Sequence, residues 1–106
     1  MNWQTEEGPE LDMYVAETLL GWQRTGPSKW NHPNGGTGYT SVPAYSSFLI
    51  AAWDVMNTYI QYFELHKSVG EAYLWMCKLD GYKGTGKTPA LAICRAALLK
   101  HEEENQ

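Results

Sequence analysis

Residues 71–79 read Glu-Ala-Tyr-Leu-Trp-Met-Cys-Lys-Leu, and large apolar side chains fill both sets of alternating positions. Tyr73, Trp75, Cys77 and Leu79 fall on one face of an extended segment, and Ala72, Leu74, Met76 and Lys78 on the other. A strand with two apolar faces belongs in the middle of a sheet, since each face needs cover. The run Tyr62–Ser68 also alternates and precedes it across Val69 and Gly70, so the pair predicts an antiparallel hairpin. A chain of 106 residues has length for one such sheet and the helices that cover it. The expectation is a single domain over residues 1–106.

Three segments carry helical periodicity. From about Glu7 to Leu20, Leu11, Val15 and Leu19 recur with Tyr14 and Thr18, acidic Glu6, Glu7 and Glu10 favour the positive dipole end, and Gly21 offers a C-cap. Ser46 is placed to N-cap a second helix of about Ser47 to Tyr59, with Leu49, Trp53, Met56 and Ile60 on one stripe. Thr88-Pro89 opens a third, in which Ile93, Cys94, Ala97 and Leu98 are buried and which ends near Lys100, with Glu102, Glu103 and Glu104 frayed at the negative dipole end. Between the first two helices, Trp22 to Pro43 is rich in Gly, Pro, Ser, Thr and Asn, and predicts a short strand or hairpin turned at Pro33, Asn34, Gly35 and Gly36. Gly81 to Lys87 reads as a glycine-rich connection. Helix, irregular β segment, helix, hairpin and helix make an α+β fold, a small antiparallel sheet packed by helices.

Composition narrows the function. Hydrophobic residues at 43% exclude global disorder, and a net charge of −4 lacks the basic footprint of nucleic-acid binding. No run approaches the ~20 apolar residues of a membrane span, and the polar, acidic start has no leader-like core, so a soluble cytoplasmic protein is expected. Cys77 and Cys94 are isolated in apolar runs and read as reduced core residues. Five Trp and seven Tyr against two Phe make an aromatic set with polar handles, suited to ligand or partner surfaces.

Several segments together resemble a known family. Glu-Leu-Asp-Met-Tyr-Val-Ala-Glu-Thr-Leu-Leu-Gly-Trp (Glu10 to Trp22), Ala-Tyr-Ser (Ala44 to Ser46), Ala-Ala-Trp-Asp-Val (Ala51 to Val55) and Thr-Pro-Ala-Leu-Ala-Ile-Cys-Arg-Ala-Ala-Leu (Thr88 to Leu98) are similar to the phage ABA sandwich domain family. That resemblance implies a sheet layered between helices, an α/β/α sandwich, and a phage or prophage setting. It implies no activity and no catalytic residues. The glycine-rich stretches Asn34 to Gly38 and Gly81 to Lys87 depart from the family pattern.

Gly81 to Thr88 satisfies G-x-x-x-x-G-K-[ST], the pattern whose glycines turn backbone N–H groups onto phosphates. Two features oppose a nucleotide-hydrolysing loop. Only 18 residues follow Thr88, with no strand to supply a metal-binding aspartate, and Pro89 shifts Thr88 towards a helix cap. A simpler anion site built from Tyr82, Lys83, Thr85, Lys87 and Thr88 survives both objections, against the plainer alternative of a surface hairpin whose lysines are merely solvated. The second candidate is Trp30, His32 and Tyr39, which could stack on a flat ligand, although the simpler reading, and the favoured one, is that Trp30 covers a sheet edge. Trp22 and Trp53 stand at core-facing spacing and read as packing residues.

His32, His66 and His101 are scattered, and no pair has metal-ligand spacing. No nucleophile elbow or His-Glu-x-x-His occurs, so neither metal, cofactor nor catalysis is expected. The expected function is phage accessory binding without turnover, of a small anionic or nucleotide-type ligand, with antagonism of host defence as its purpose. The alternatives are a blocker of a host protein surface and a structural phage component. The aromatic excess and the two-sided strand predict a homo-oligomer.

Overall fold

The computed structural model describes residues 2–59, 63–67 and 74–105. Eight elements follow in order: α1 (Pro9–Leu19), β1 (Gln23–Gly26), β2 (Lys29–Asn31), α2 (Leu49–Tyr59), β3 (Phe63–Lys67), β4 (Trp75–Leu79), β5 (Tyr82–Gly86) and α3 (Pro89–Glu104). Two antiparallel sheets result, β1–β2 and β3–β4–β5. The expected α+β class holds, with helices packed on a small antiparallel sheet. Ile60, Tyr62 and residues 68–73, which carry the hairpin's expected turn, lie outside the described residues.

The two-faced strand is central, as its pattern requires. Phe63 pairs with Leu79 and Lys67 with Trp75 on one side of β4, and Trp75 pairs with Gly86 and Leu79 with Tyr82 on the other. The second neighbour corrects the sequence reading, in which Gly81–Lys87 is a loop. Asp80 at φ 51° and Gly81 at φ 89° form a two-residue turn of left-handed backbone, the geometry that matches strand twist in a hairpin. Along β5, Gly84 and Gly86 turn inward while Lys83 and Thr85 face solvent. The inward glycines let α3 lie almost on the strand, for a Cβ on Gly84 would overlap the backbone of Ala92 and Ala96, and one on Gly86 would meet Leu91.

Helix α3 is the centre of the molecule, packing on β4 and β5 on one side and against α1 and α2 elsewhere. Its expected core residues Ile93, Cys94, Ala97 and Leu98 are buried, and so are Ala90, Leu91, Ala92 and Ala96. Thr88 is extended (φ −131°, ψ 155°), and its hydroxyl accepts the Leu91 N–H at 3.2 Å, the cap that Pro89 implies. The helix runs four residues past its expected end, to Glu104. Lys100 holds this last turn by pairing with Glu104 at 2.9 Å and with Asp80 at 3.3 Å, and Glu102 accepts the indole N–H of buried Trp3 at 2.8 Å.

Helix α1 buries Leu11, Val15 and Leu19 as its period predicts, and it also buries Asp12. Gly21 at φ 76° turns the chain back so that the Trp22 N–H reaches the Ala16 carbonyl at 3.1 Å. Ser46 does not cap α2. Its N–H and hydroxyl both donate to Asp12 Oδ1, at 2.7 and 2.6 Å, which fixes the segment leading into α2 upon α1. The stripe expected of α2 is also corrected. Ala52, Val55 and Met56 are buried, while Leu49 and Trp53 are each 44% exposed. Small Ala52 lets the helix close on the core, and Trp53 follows it by about 100° of helix rotation, which carries it off the buried arc. The hairpin of the irregular segment turns at Pro27–Ser28 between β1 and β2. The expected turn at Pro33–Gly36 exists as well, with the His32 N–H on the Gly36 carbonyl at 2.7 Å, and it returns the chain to a bridge between Trp30 and Tyr39.

Candidate functional site

Three rings meet where the β2 turn folds back toward the start of α2. Trp22 and His32 stand edge to face with centroids 4.6 Å apart, Trp22 and Tyr39 do the same at 5.3 Å, and His32 and Tyr39 lie 5.9 Å apart at a 38° tilt. The turn residues set this up. The Asn34 N–H donates to His32 Nδ1 at 3.0 Å, and Asn34 Oδ1 accepts the Gly36 N–H at 2.9 Å, so the imidazole is oriented by its own loop. With Nδ1 accepting, neutral His32 carries its proton on Nε2 and is a donor.

These rings line a cleft of about 360 Å³ with Ser41, Val42, Pro43, Tyr45 and Asp54. That volume lies within the range of small-ligand sites, about 300 to 1,000 Å³. Trp22 is buried to 5% exposure, and its indole N–H donates to the Tyr45 hydroxyl at 2.9 Å, so the floor is rigid. Burial pushes the Tyr45 phenol above its usual range; the bond from Trp22 opposes this and the charge of Asp54 adds to it. Tyr45 therefore stays a neutral phenol and can donate. The cleft offers ring surfaces, donors on His32 and the two phenols, and one carboxylate, a set that fits a flat ligand with hydrogen-bonding edges.

The predicted site residues are divided among several places. His32 and Tyr39 belong to the cleft, whereas Trp30 is 2% exposed and packs in the core with the Arg24 guanidinium 5.6 Å from its ring centroid. Lys83 and Thr85 project from the solvent face of β5 and line a depression of about 380 Å³ with His66, Leu74 and Met76. Tyr82 is half-buried at the start of that strand. Lys87 pairs with Glu7 at 2.8 Å and borders a third depression with Thr88, Ser46 and Leu91. The Trp30–Tyr39 and Gly81–Thr88 segments thus share none of these depressions. The backbone of Tyr82–Gly86 pairs with β4, so no phosphate-cradling loop forms where the motif stands.

Sequence reasoning missed Tyr45 and Asp54 and took Trp22 for packing alone. One signal was available for Asp54, the single charge in an otherwise uncharged helix. Among the described residues no group of three or more His, Cys, Asp or Glu could hold a metal ion, and no helix is long and apolar enough to cross a membrane. Cys77 and Cys94 are free and fully buried.

The fold defines a small α+β protein whose sheet is backed by a central helix and whose irregular β segment carries an aromatic cleft. The chain belongs to the phage ABA sandwich domain family, whose model matches residues 13–98. It is similar to a crystal structure of a phage protein from Bacillus cereus ATCC 14579, with a TM-score of 0.64 and 19% identity over 90% of this chain and 93% of that one. At that identity the likeness concerns the fold. No curated protein matches the chain.

Proposed function

We propose that this is a phage-encoded accessory protein that acts in the host cytoplasm by binding a small ligand of nucleotide type without turning it over. The observation that carries the reading is the Trp22–His32–Tyr39 cluster above Asp54, a cleft with ring faces and both donors and acceptors. Such a cleft suits a nucleobase, which has a π-face for stacking and mixed hydrogen-bonding edges. Among the described residues its lining contains no Lys or Arg, so the base or nucleoside half is the part recognised and any phosphate points to solvent. Binding without turnover accords with the chemistry present. His32 Nδ1 is engaged by its own loop, and burial raises both thiols, Cys77 to about 11. A protein that holds a signalling nucleotide intact lowers its free concentration, and on this reading the chain antagonises a host response that depends on the signal.

Titration with free bases, nucleosides and nucleotides, followed by intrinsic tryptophan fluorescence, to which Trp22 contributes, tests the proposal. Binding should be saturable and should weaken at least about tenfold in Tyr39→Ala, with the ligand recovered chemically unchanged. Failure of all these compounds to bind, or binding indifferent to both Tyr39→Ala and His32→Ala, would reject it.

A further inference from the structure

One face of α2 is apolar and, among the described residues, exposed. Ile50 is 87% exposed, Phe48 68%, Leu49 and Trp53 44% each, and Phe63 of β3, edge-on to Trp53 at 6.0 Å, 38%. With about 150–250 Å² for a whole large side chain, these fractions leave on the order of 500 Å² of apolar side chain in water. Patches of that size on a monomer are often functional. The area also equals the apolar share of one side of a standard interface, about 800 Å² per partner.

We propose that this face is a two-fold interface with a second copy of the chain. Two observations favour self-association over a different partner. First, Phe48, Leu49, Ile50 and Ala51 form, with Pro43, Ala44 and Asp54, the walls of one open hollow of about 820 Å³, and the exposed apolar area around it matches the apolar share that one partner gives to a standard interface, so two copies related by a two-fold axis cover each other's patch. Second, Asp54 is the only charge on α2, so the two faces meet with little like-charge repulsion.

The interface stands independently of the ligand cleft, although the two share Pro43 and Asp54 as a common rim. Sedimentation velocity at micromolar concentration should give a species of twice 12.0 kDa. Ile50→Asp and Phe48→Asp should each raise the dimer dissociation constant by about a hundredfold or more, with the circular dichroism spectrum unchanged because both side chains already face water, and with a melting temperature that no longer depends on protein concentration. A cross-linking pair serves as a second readout. Ile50→Cys should form a disulfide-linked dimer under mild oxidation, and Lys29→Cys, exposed on β2, should not; native Cys77 and Cys94 are buried and stay silent. A parent that sediments only as a monomer overturns the proposal. So does a dimer that Ile50→Asp leaves equally tight, or a monomer whose patch is covered only by a different protein. Loss of ligand binding in Tyr39→Ala with the dimer intact would bear on the cleft alone.

Discussion

Gly84 of β5 and Ala96 of α3 meet backbone to backbone, with no room for a Cβ between them. This contact sets the distance between sheet and helix, and Ala92 and Ala96 complete it by presenting only methyl groups. Gly84→Ala places its methyl against main chain, which cannot rotate away as a side chain can. The expected loss is about 3 kcal/mol or more, as for overpacking against an immobile neighbour. Urea unfolding of the variant measures it, and a change within about 0.5 kcal/mol would show that α3 can slide.

How much of this architecture was readable depends on where the deciding interaction lies. The stripe of α1, the centrality of β4 and the cap at Thr88 are local patterns, and each appears where its pattern places it. Strand β5 was not recognised because Gly84 and Gly86 read as turn residues, when they are strand positions emptied for a helix that arrives later in the chain. The adjacent Asp80-Gly81 pair was nonetheless a legible hairpin signal. The buried arc of α2 was misjudged because side-chain size favoured Trp53 while packing distance favoured Ala52. In the cleft, His32 and Tyr39 stood out as polar aromatics in one loop. Trp22, Tyr45 and Asp54 come from three other segments and meet only through the tertiary fold.

The pair Asp12–Ser46 predicts a stability effect far from any binding site. Asp12 is 6% exposed and accepts both the N–H and the hydroxyl of Ser46 on one oxygen. Ser46→Ala removes a charge-assisted bond and leaves the carboxylate with less compensation, at a cost of about 1.5 to 3 kcal/mol. Asp12→Ala should cost more than Ser46→Ala, since it leaves two buried donors without their acceptor. Thermal unfolding of the two variants checks the order, and reversal of it would mean that water replaces Asp12 freely.

Neighbouring residues at the start of α3 separate a structural role from a surface one. Thr88→Ala deletes the acceptor of the Leu91 N–H and should cost about 1 kcal/mol. Lys87→Ala breaks only the exposed pair with Glu7, in which the side chains are 65% and 51% accessible, and should change stability by well under about 1 kcal/mol. If the strand conformation of β5 excludes a phosphate loop, Lys87→Ala should also leave nucleotide titrations unaltered. A nucleotide affinity that falls with Lys87→Ala would return the site to the sequence motif.

Alkaline pH should destabilise the fold through groups that burial keeps protonated. Cys77, fully buried, is pushed from an ordinary 9.0 up to about 11, and Cys94 and Tyr45 move the same way, chiefly because burial disfavours their anions. Lys100 is also raised, first by its bond to Glu104, so its ion pairs persist to higher pH in the folded chain than the amine would stay charged alone. Each of these groups holds its proton more tightly folded than unfolded. Their stabilisation is therefore complete below the unfolded pKa and declines as pH rises through the window to the folded one. For Cys77 that window is pH 9 to 11, and its contribution to the loss across it is about 2 kcal/mol. Urea midpoints measured at pH 8, 9, 10 and 11 should fall steadily above 9. Cys77→Ala should lower the midpoint at pH 8 by opening a small cavity and yet give a shallower decline above 9, since one titrating group is gone. An unchanged slope in that variant would assign the alkaline loss to other groups.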